Sequence, residues 1–166
     1  MQLQTFLPHG PDFEATARSL DRQRLLKQRV ETLQIINALA GRSAGWRNHP
    51  ATRQWSGYEG TLMKYQEAVC AEVVKRGYRD TCLMKTRDVL GDFSDALGSK
   101  PPFLDDRRLM ITHRASLYRK LPEHYPQFKH EDQIYRDYVC CARCSYWWPT
   151  HQPPLNPAMH LSLIHI

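Results

Sequence analysis

The chain has 166 residues and carries 23 Lys and Arg against 17 Asp and Glu, a formal net charge of +6. With 42% hydrophobic and 24% charged residues its composition is that of a globular protein, which sets wholesale disorder aside and makes one domain the expectation. No run approaches the roughly 18–20 apolar residues of a membrane helix, no basic-then-apolar stretch suggests a secretory signal, and five cysteines, an odd number, point to reduced thiols in the cytoplasm.

In chain order, residues 1–11 (MQLQTFLPHGP) read as extended, because Pro8 and Pro11 break any helix. Asp12 is a candidate cap for a short helix over Phe13–Ser19. From Asp21 the pattern strengthens. Leu25, Leu26, Val30, Leu33, Ile36 and Leu39 recur at helical spacing and Gly41 supplies a stop, which predicts a helix of about five turns. Asn48 reads as the N-cap of a second helical region, with Pro50 in the first turn, where a missing N–H is no loss. That region, interrupted at Gly57, continues through Tyr58–Arg76 to Gly77, with Leu62, Tyr65, Val69 and Val73 as its apolar stripe. Residues 81–90 read as a short helix and Gly91–Pro102 as a loop. A third strong helix is predicted over Asp105–Lys120, ending before Pro122.

Strand-like alternation and internal repeats are absent. The expected fold class is all-α, a compact single domain over residues 1–148 with three main helices, short helices and an irregular C-terminal third. Residues 149–166 read as a Pro-rich tail. Its last six residues, Leu161–Ile166 (LSLIHI), match the translation of a transposon adapter end used in sequencing libraries, so no function is read into His165.

The positive charge is confined to three segments. Residues 18–31, 42–64 and 105–120 each carry a net +3, and the remainder sums to −3. Brought together they form an electropositive face suited to DNA or RNA; kept apart they are three solvated surfaces. On the first reading Arg22 and Arg29, Arg47 and Arg53, and Arg114, Arg119 and Lys120 are candidate nucleic-acid contacts.

Within Leu20–Gln34 (LDRQRLLKQRVETLQ), Arg24, Lys27 or Gln28, Glu31 and Gln34 share one helical face, beside the apolar one of Leu26, Val30 and Leu33. A mid-helix carboxylate at the core edge, with Lys27 and Arg24 one and two turns before it, suits stabilising a developing cation or moving a proton. The alternative is an i, i+4 Lys27–Glu31 surface pair contributing a few tenths of a kcal/mol, which spacing alone favours.

Four blocks resemble the pyrimidine-dimer DNA glycosylase family, in particular its bacterial and phage relatives: TFLP followed by LDRQRLLKQRVETLQ, GWRNHP, WSGYEGTLMKYQEAVCAEVVKRGY, and THRASLYRKLPEHY. Together they span roughly residues 5–125. The resemblance implies a glycosylase with abasic-site lyase activity on double-stranded DNA containing damaged pyrimidines, acting as a monomer without cofactor or metal. It places the family's essential glutamate at Glu31 and its preceding glutamine at Gln23, while Arg24 stands where the studied phage enzyme has histidine. Histidines opening the second and third helical blocks correspond to His49 and His113, and Arg114 stands in place of an acid. In that phage enzyme the α-amine of the processed N-terminal residue is the nucleophile. Here Gln2 opposes removal of Met1, and the stretch ahead of Glu31 is longer than the family spacing. The implied amine is Met1, if residues 1–8 fold back along the first long helix, or Lys27. Failing both, Glu31 activates water.

Trp46 lies between Gly45 and Arg47 beside His49, an arrangement suited to base stacking or phosphate contact, though Trp46 and Trp55 equally suit packing between helices. Cys140, Cys141 and Cys144, near His124, His130 and His151, form too incomplete a set for zinc, and ordinary thiols are expected. Cys70 reads as a helix-core residue and Cys82 as a loop residue; His9 and His130 belong to no visible constellation. Two other functions compete with repair: a non-catalytic nucleic-acid-binding module of the same fold, and an enzyme acting on modified nucleotides.

Overall fold

The computed structural model describes residues 3–91, 99–138 and 146–150. Met1, the cysteines at 140, 141 and 144, His151 and the tail from 151 onward lie outside the described residues. Among those described there are seven α-helices, two 3₁₀ turns and no strand, so the fold is all-α. No helix among them is long and apolar enough to cross a membrane. The chain divides into two compact units, Met1–Phe6 with Asp12–Pro101, and Leu7–Pro11 with Pro102–Ile166.

The first unit holds α1 (Phe13–Ser19), α2 (Arg22–Leu39), α3 (Pro50–Arg53), α4 (Glu59–Lys75) and α5 (Cys82–Leu90). Asp12 caps α1 by accepting from the Ala15 N–H at 3.0 Å, and Asp21 caps α2 by accepting from Arg24 N–H at 3.4 Å. Gly41, at φ 76, ends α2 in the left-handed conformation that glycine adopts without strain. α2 packs on α3, α4 and α5, and α1 on α4. Leu25, Ile35 and Ile36 of α2 and Leu62, Tyr65, Val69 and Val73 of α4 are fully enclosed. Gln66 crosses this core, its Nε2 donating to the Arg29 carbonyl at 2.8 Å and to Thr86 Oγ1 at 3.1 Å.

Three details differ from the sequence expectation. The N-cap of α3 is His49, not Asn48: its Nδ1 accepts from Ala51 N–H at 3.0 Å. Pro50 at the first helical position leaves the preceding residue as the cap and holds it extended, at ψ 138. Val30, read as apolar-stripe, is 44% exposed, while Gln28 and Glu31 point inward. Cys82 opens α5 and is buried.

The second unit holds a 3₁₀ turn at Pro102–Asp105, α6 (Arg107–Lys120), a second 3₁₀ turn at Pro126–Phe128 and α7 (Lys129–Tyr138). Asp106 caps α6, and the helix ends at Leu121, before Pro122. α7 falls in the third expected to be irregular. Its sequence, KHEDQIYRDY, is mostly charged, and its apolar anchors Ile134 and Tyr135 are too few for a visible stripe; packing on α6 orders it. Tyr146, Trp147 and Trp148 are buried, with Tyr146 OH 2.9 Å from Ser116 Oγ and Trp147 N–H donating to Thr112 Oγ1 at 3.2 Å. Gly10, at φ 58, brings its backbone so close to the chain that a Cβ there would lie 2.5 Å from the Leu104 carbonyl oxygen.

Candidate functional site

The segment Leu3–Phe6 has no regular structure, yet all four residues are buried. A buried irregular segment must find partners for its backbone groups, and α2 and α4 supply them. Gln28 of α2 accepts from Phe6 N–H at 3.0 Å and donates to the Gln4 carbonyl at 2.6 Å. Tyr65 of α4 donates its hydroxyl to the Phe6 carbonyl at 2.8 Å. Beyond α3, Trp55 Nε1 and Gln54 Nε2 donate to Thr5 Oγ1 at 3.0 and 3.3 Å.

Glu31 lies one turn after Gln28 on the same face of α2 and is 4% exposed. Lys27 Nζ stands 3.5 Å from its Oε1, with the lysine side chain 47% exposed. The pair has the predicted i, i+4 spacing, but the carboxylate belongs to the interior. Burial pushes the Tyr65 phenol well above its ordinary range, and the negative charge of Glu31 pushes the same way. Tyr65 therefore stays protonated and holds Phe6. A carboxylate enclosed this way acts through a low dielectric, so it stabilises a nearby developing cation more strongly than a solvated one does.

The remaining expected site residues fall into two groups. Arg24 pairs with its own cap, Nη1 to Asp21 Oδ2 at 3.2 Å, rather than with Glu31. Arg29 donates to Asp80 Oδ1 at 2.9 Å and to the Arg79 carbonyl at 2.8 Å, tying α2 to the α4–α5 connection. Burial tends to raise the Asp80 carboxyl, but N–H donors from Leu83 and Cys82 and the Arg29 guanidinium outweigh it and hold Asp80 below its usual range. In the second unit Arg114 donates to the Pro8 carbonyl at 2.7 Å and to Glu131 at 2.9 Å. Arg119 pairs with Asp132 at 3.2 Å and lies 4.4 Å over the Tyr135 ring. These four arginines are engaged within the protein.

His113 is fully enclosed, accepts from Leu7 N–H at 2.9 Å through Nδ1, and is pushed down to about 3 by burial. It presents nothing to a ligand at the surface, which corrects its expected role as a nucleic-acid contact. Exposed positions are Arg22, whose guanidinium lies 5.2 Å over Tyr78, together with Gln23, Arg47, Arg53 and Lys120. Trp46 is half-buried and edge-on to His49 at 5.6 Å, and burial lowers the His49 pKa. Trp55 is a core residue.

Sequence reasoning missed Gln4, Thr5, Gln54 and Tyr65 as the frame of this site. The available signal was polar residues at core spacing on α2, Gln28 and Thr32 between Leu25 and Ile36, since an inward polar stripe needs something polar to receive. Among the described residues no group of three or more His, Cys, Asp or Glu is placed to hold a metal.

A family model described as pyrimidine dimer DNA glycosylase matches residues 3–86, about half of the chain. The match runs from the buried N-terminal segment into α5 and includes Gln28, Glu31 and the α3 loop. Neither the curated proteins nor the solved structures contain a match. The chain belongs to the pyrimidine dimer DNA glycosylase family.

Proposed function

We propose that this protein is a DNA N-glycosylase acting on damaged pyrimidines in duplex DNA, with Glu31 as its central carboxylate. The observation that carries the reading is the burial of Glu31 on α2, at 4% exposure, beside the N-terminal segment. Removing a carboxylate from water costs several kcal/mol, so a charge kept on the inward face of a helix is kept for what it does there. A helix needing only packing at this position would carry an aliphatic residue. An enclosed charge is what stabilisation of an oxocarbenium or imine species requires.

In the lyase version of the reaction an amine nitrogen bonds to the sugar C1′ as the C1′–base bond breaks. The base leaves with that electron pair and takes a proton; the nitrogen then loses a proton and its lone pair forms the C1′=N bond as the C1′–O4′ bond breaks, with O4′ taking up a proton to give the ring-opened iminium. Lys27 Nζ is already engaged with Glu31 Oε1 at 3.5 Å. Chain geometry supports the α-amine of Met1 instead. Three residues ahead of Gln4 span at most about 10 Å, Gln4 is bonded to Gln28, and Gln28 is one helical turn, about 4.5 Å, from Glu31. An α-amine, with a reference pKa of about 7.7–8.0, is partly neutral at pH 7. Arg22, Arg47, Arg53, Trp46 and the neutral His49 are the surface groups of the first unit assigned to the DNA backbone and to unstacked bases.

Borohydride trapping on two labelled duplexes, one with a cyclobutane pyrimidine dimer and one with an abasic site, tests this. A covalent band on both, mapped by peptide analysis to Met1, is the expected result. Mapping to Lys27 moves the nucleophile. A band on the abasic duplex alone reassigns the lesion. No band together with no base release leaves a nucleic-acid-binding module and ends the enzymatic reading.

A further inference from the structure

The second unit contains a cavity of about 280 Å³ between α6 and α7, outside the segment matched by the family model. Its floor is aliphatic and thioether: Met110 and Ile111 from α6 and Ile134 from α7. Its polar lining is Arg107 and Arg114 from one helix, His130 and Glu131 from the other. The α6 residues at 107, 110, 111 and 114 have the spacing of one helical face, so the two arginines stand two turns apart with the apolar floor between them.

The two arginines differ. Arg114 is immobilised by its bonds to Pro8 and Glu131, and its guanidinium lies 5.5 Å over the Phe128 ring. With Nε and one Nη1 hydrogen committed, three N–H groups remain. Arg107 is exposed and forms no ion pair among the described residues. Glu131 balances Arg114, so the lining carries one surplus positive charge, at Arg107.

We infer that this cavity is a docking site for an acidic peptide segment, taking one large aliphatic or aromatic side chain onto the Met110–Ile111–Ile134 floor and the adjacent carboxylate onto Arg107. Charge and floor favour a peptide over a DNA strand. One surplus cation matches one carboxylate, whereas a run of phosphates would also meet Glu131 of the lining. A methionine-bearing apolar floor adapts to side chains of differing shape. The inference does not rest on the glycosylase reading.

The test is fluorescence anisotropy of the full chain with a fluorescein-labelled, C-terminally amidated peptide, Gly-Ser-Asp-Leu-Phe. Saturable binding at micromolar peptide is expected, weakened about tenfold or more by Arg107→Glu, by Met110→Gln, and by replacing Leu-Phe of the peptide with Ser-Ser. Arg107 is on the surface, so its substitution leaves the fold intact, which circular dichroism checks. Absence of saturation below about 1 mM peptide overturns the proposal, as does binding indifferent to Arg107→Glu. Displacement of the peptide by unlabelled duplex, with duplex affinity falling in Arg107→Glu by the same factor, also overturns it and makes the cavity a nucleic-acid contact.

Discussion

The side-chain amide of Gln28 donates to the backbone carbonyl of Gln4 at 2.6 Å, while its carbonyl accepts from Phe6 N–H at 3.0 Å. One side chain thus holds an irregular segment against the helix that carries Glu31, a turn away. Replacing Gln28 by Ala strands a buried carbonyl and a buried N–H together, and each such group costs about 1–3 kcal/mol. Urea unfolding of Gln28→Ala should show a loss of about 2–4 kcal/mol. A loss below about 0.5 kcal/mol would mean that the segment is held by Tyr65 and Trp55 without it.

Glu31→Gln keeps the shape and removes the charge. Single-turnover base release should fall by about 10²–10⁴-fold, the range for a positioned acid–base or charge-stabilising group. Duplex affinity should stay within about threefold, because the carboxylate is enclosed and contributes no phosphate contact. If affinity and turnover drop together, Glu31 is a structural residue.

His113 gives the second unit a predictable acid response. Between its free value of 6.5 and its buried value of about 3, the unfolded chain binds a proton that the native chain refuses. Stability therefore rises with pH up to about 6.5 and is flat above it as far as this group is concerned. Lowering the pH from 7 to 5 should remove about 2 kcal/mol, at 1.36 kcal/mol per pKa unit. Comparing urea midpoints at both pH values in wild type and His113→Gln isolates the effect from that of His49, which burial also lowers. An equal pH response in both proteins would refute it.

Gly10→Ala should destabilise by at least about 2 kcal/mol, combining a left-handed backbone with a Cβ 2.5 Å from the Leu104 carbonyl oxygen. Gly41→Ala is the control: its φ is 76, but nothing lies within 4 Å of a Cβ, so only the conformational strain of about 1–2 kcal/mol applies. Thermal melts of the two variants distinguish contact from conformation.

Much of the fold was legible along the chain because its determinants are local. Asp12, Asp21, Gly41 and Pro122 punctuate helices through caps, a left-handed stop and a missing N–H, interactions that reach only a few residues. The spacing that pairs Lys27 with Glu31 is equally a property of one helix. Pro50 at the first helical position marks His49 as the cap by a local rule, whereas α7 has no legible stripe because its order comes from α6.

The helical class, most helix boundaries, the family-bearing blocks and the position of the glutamate on α2 thus follow from local pattern alone. Only the tertiary structure decided which side of α2 is inside. Periodicity defines a face but not its partner, and the inward face turned out to be the one carrying Gln28 and Glu31, because the N-terminal segment brings backbone groups that only a polar face can satisfy. It likewise decided which cations remain at the surface. Arg24, Arg29, Arg114 and Arg119 look no different in sequence from Arg22, Arg47 and Arg53, and only long-range placement beside Asp80, Pro8, Glu131 or Asp132, or a cap partner at Asp21, removes a guanidinium from the solvent-facing set.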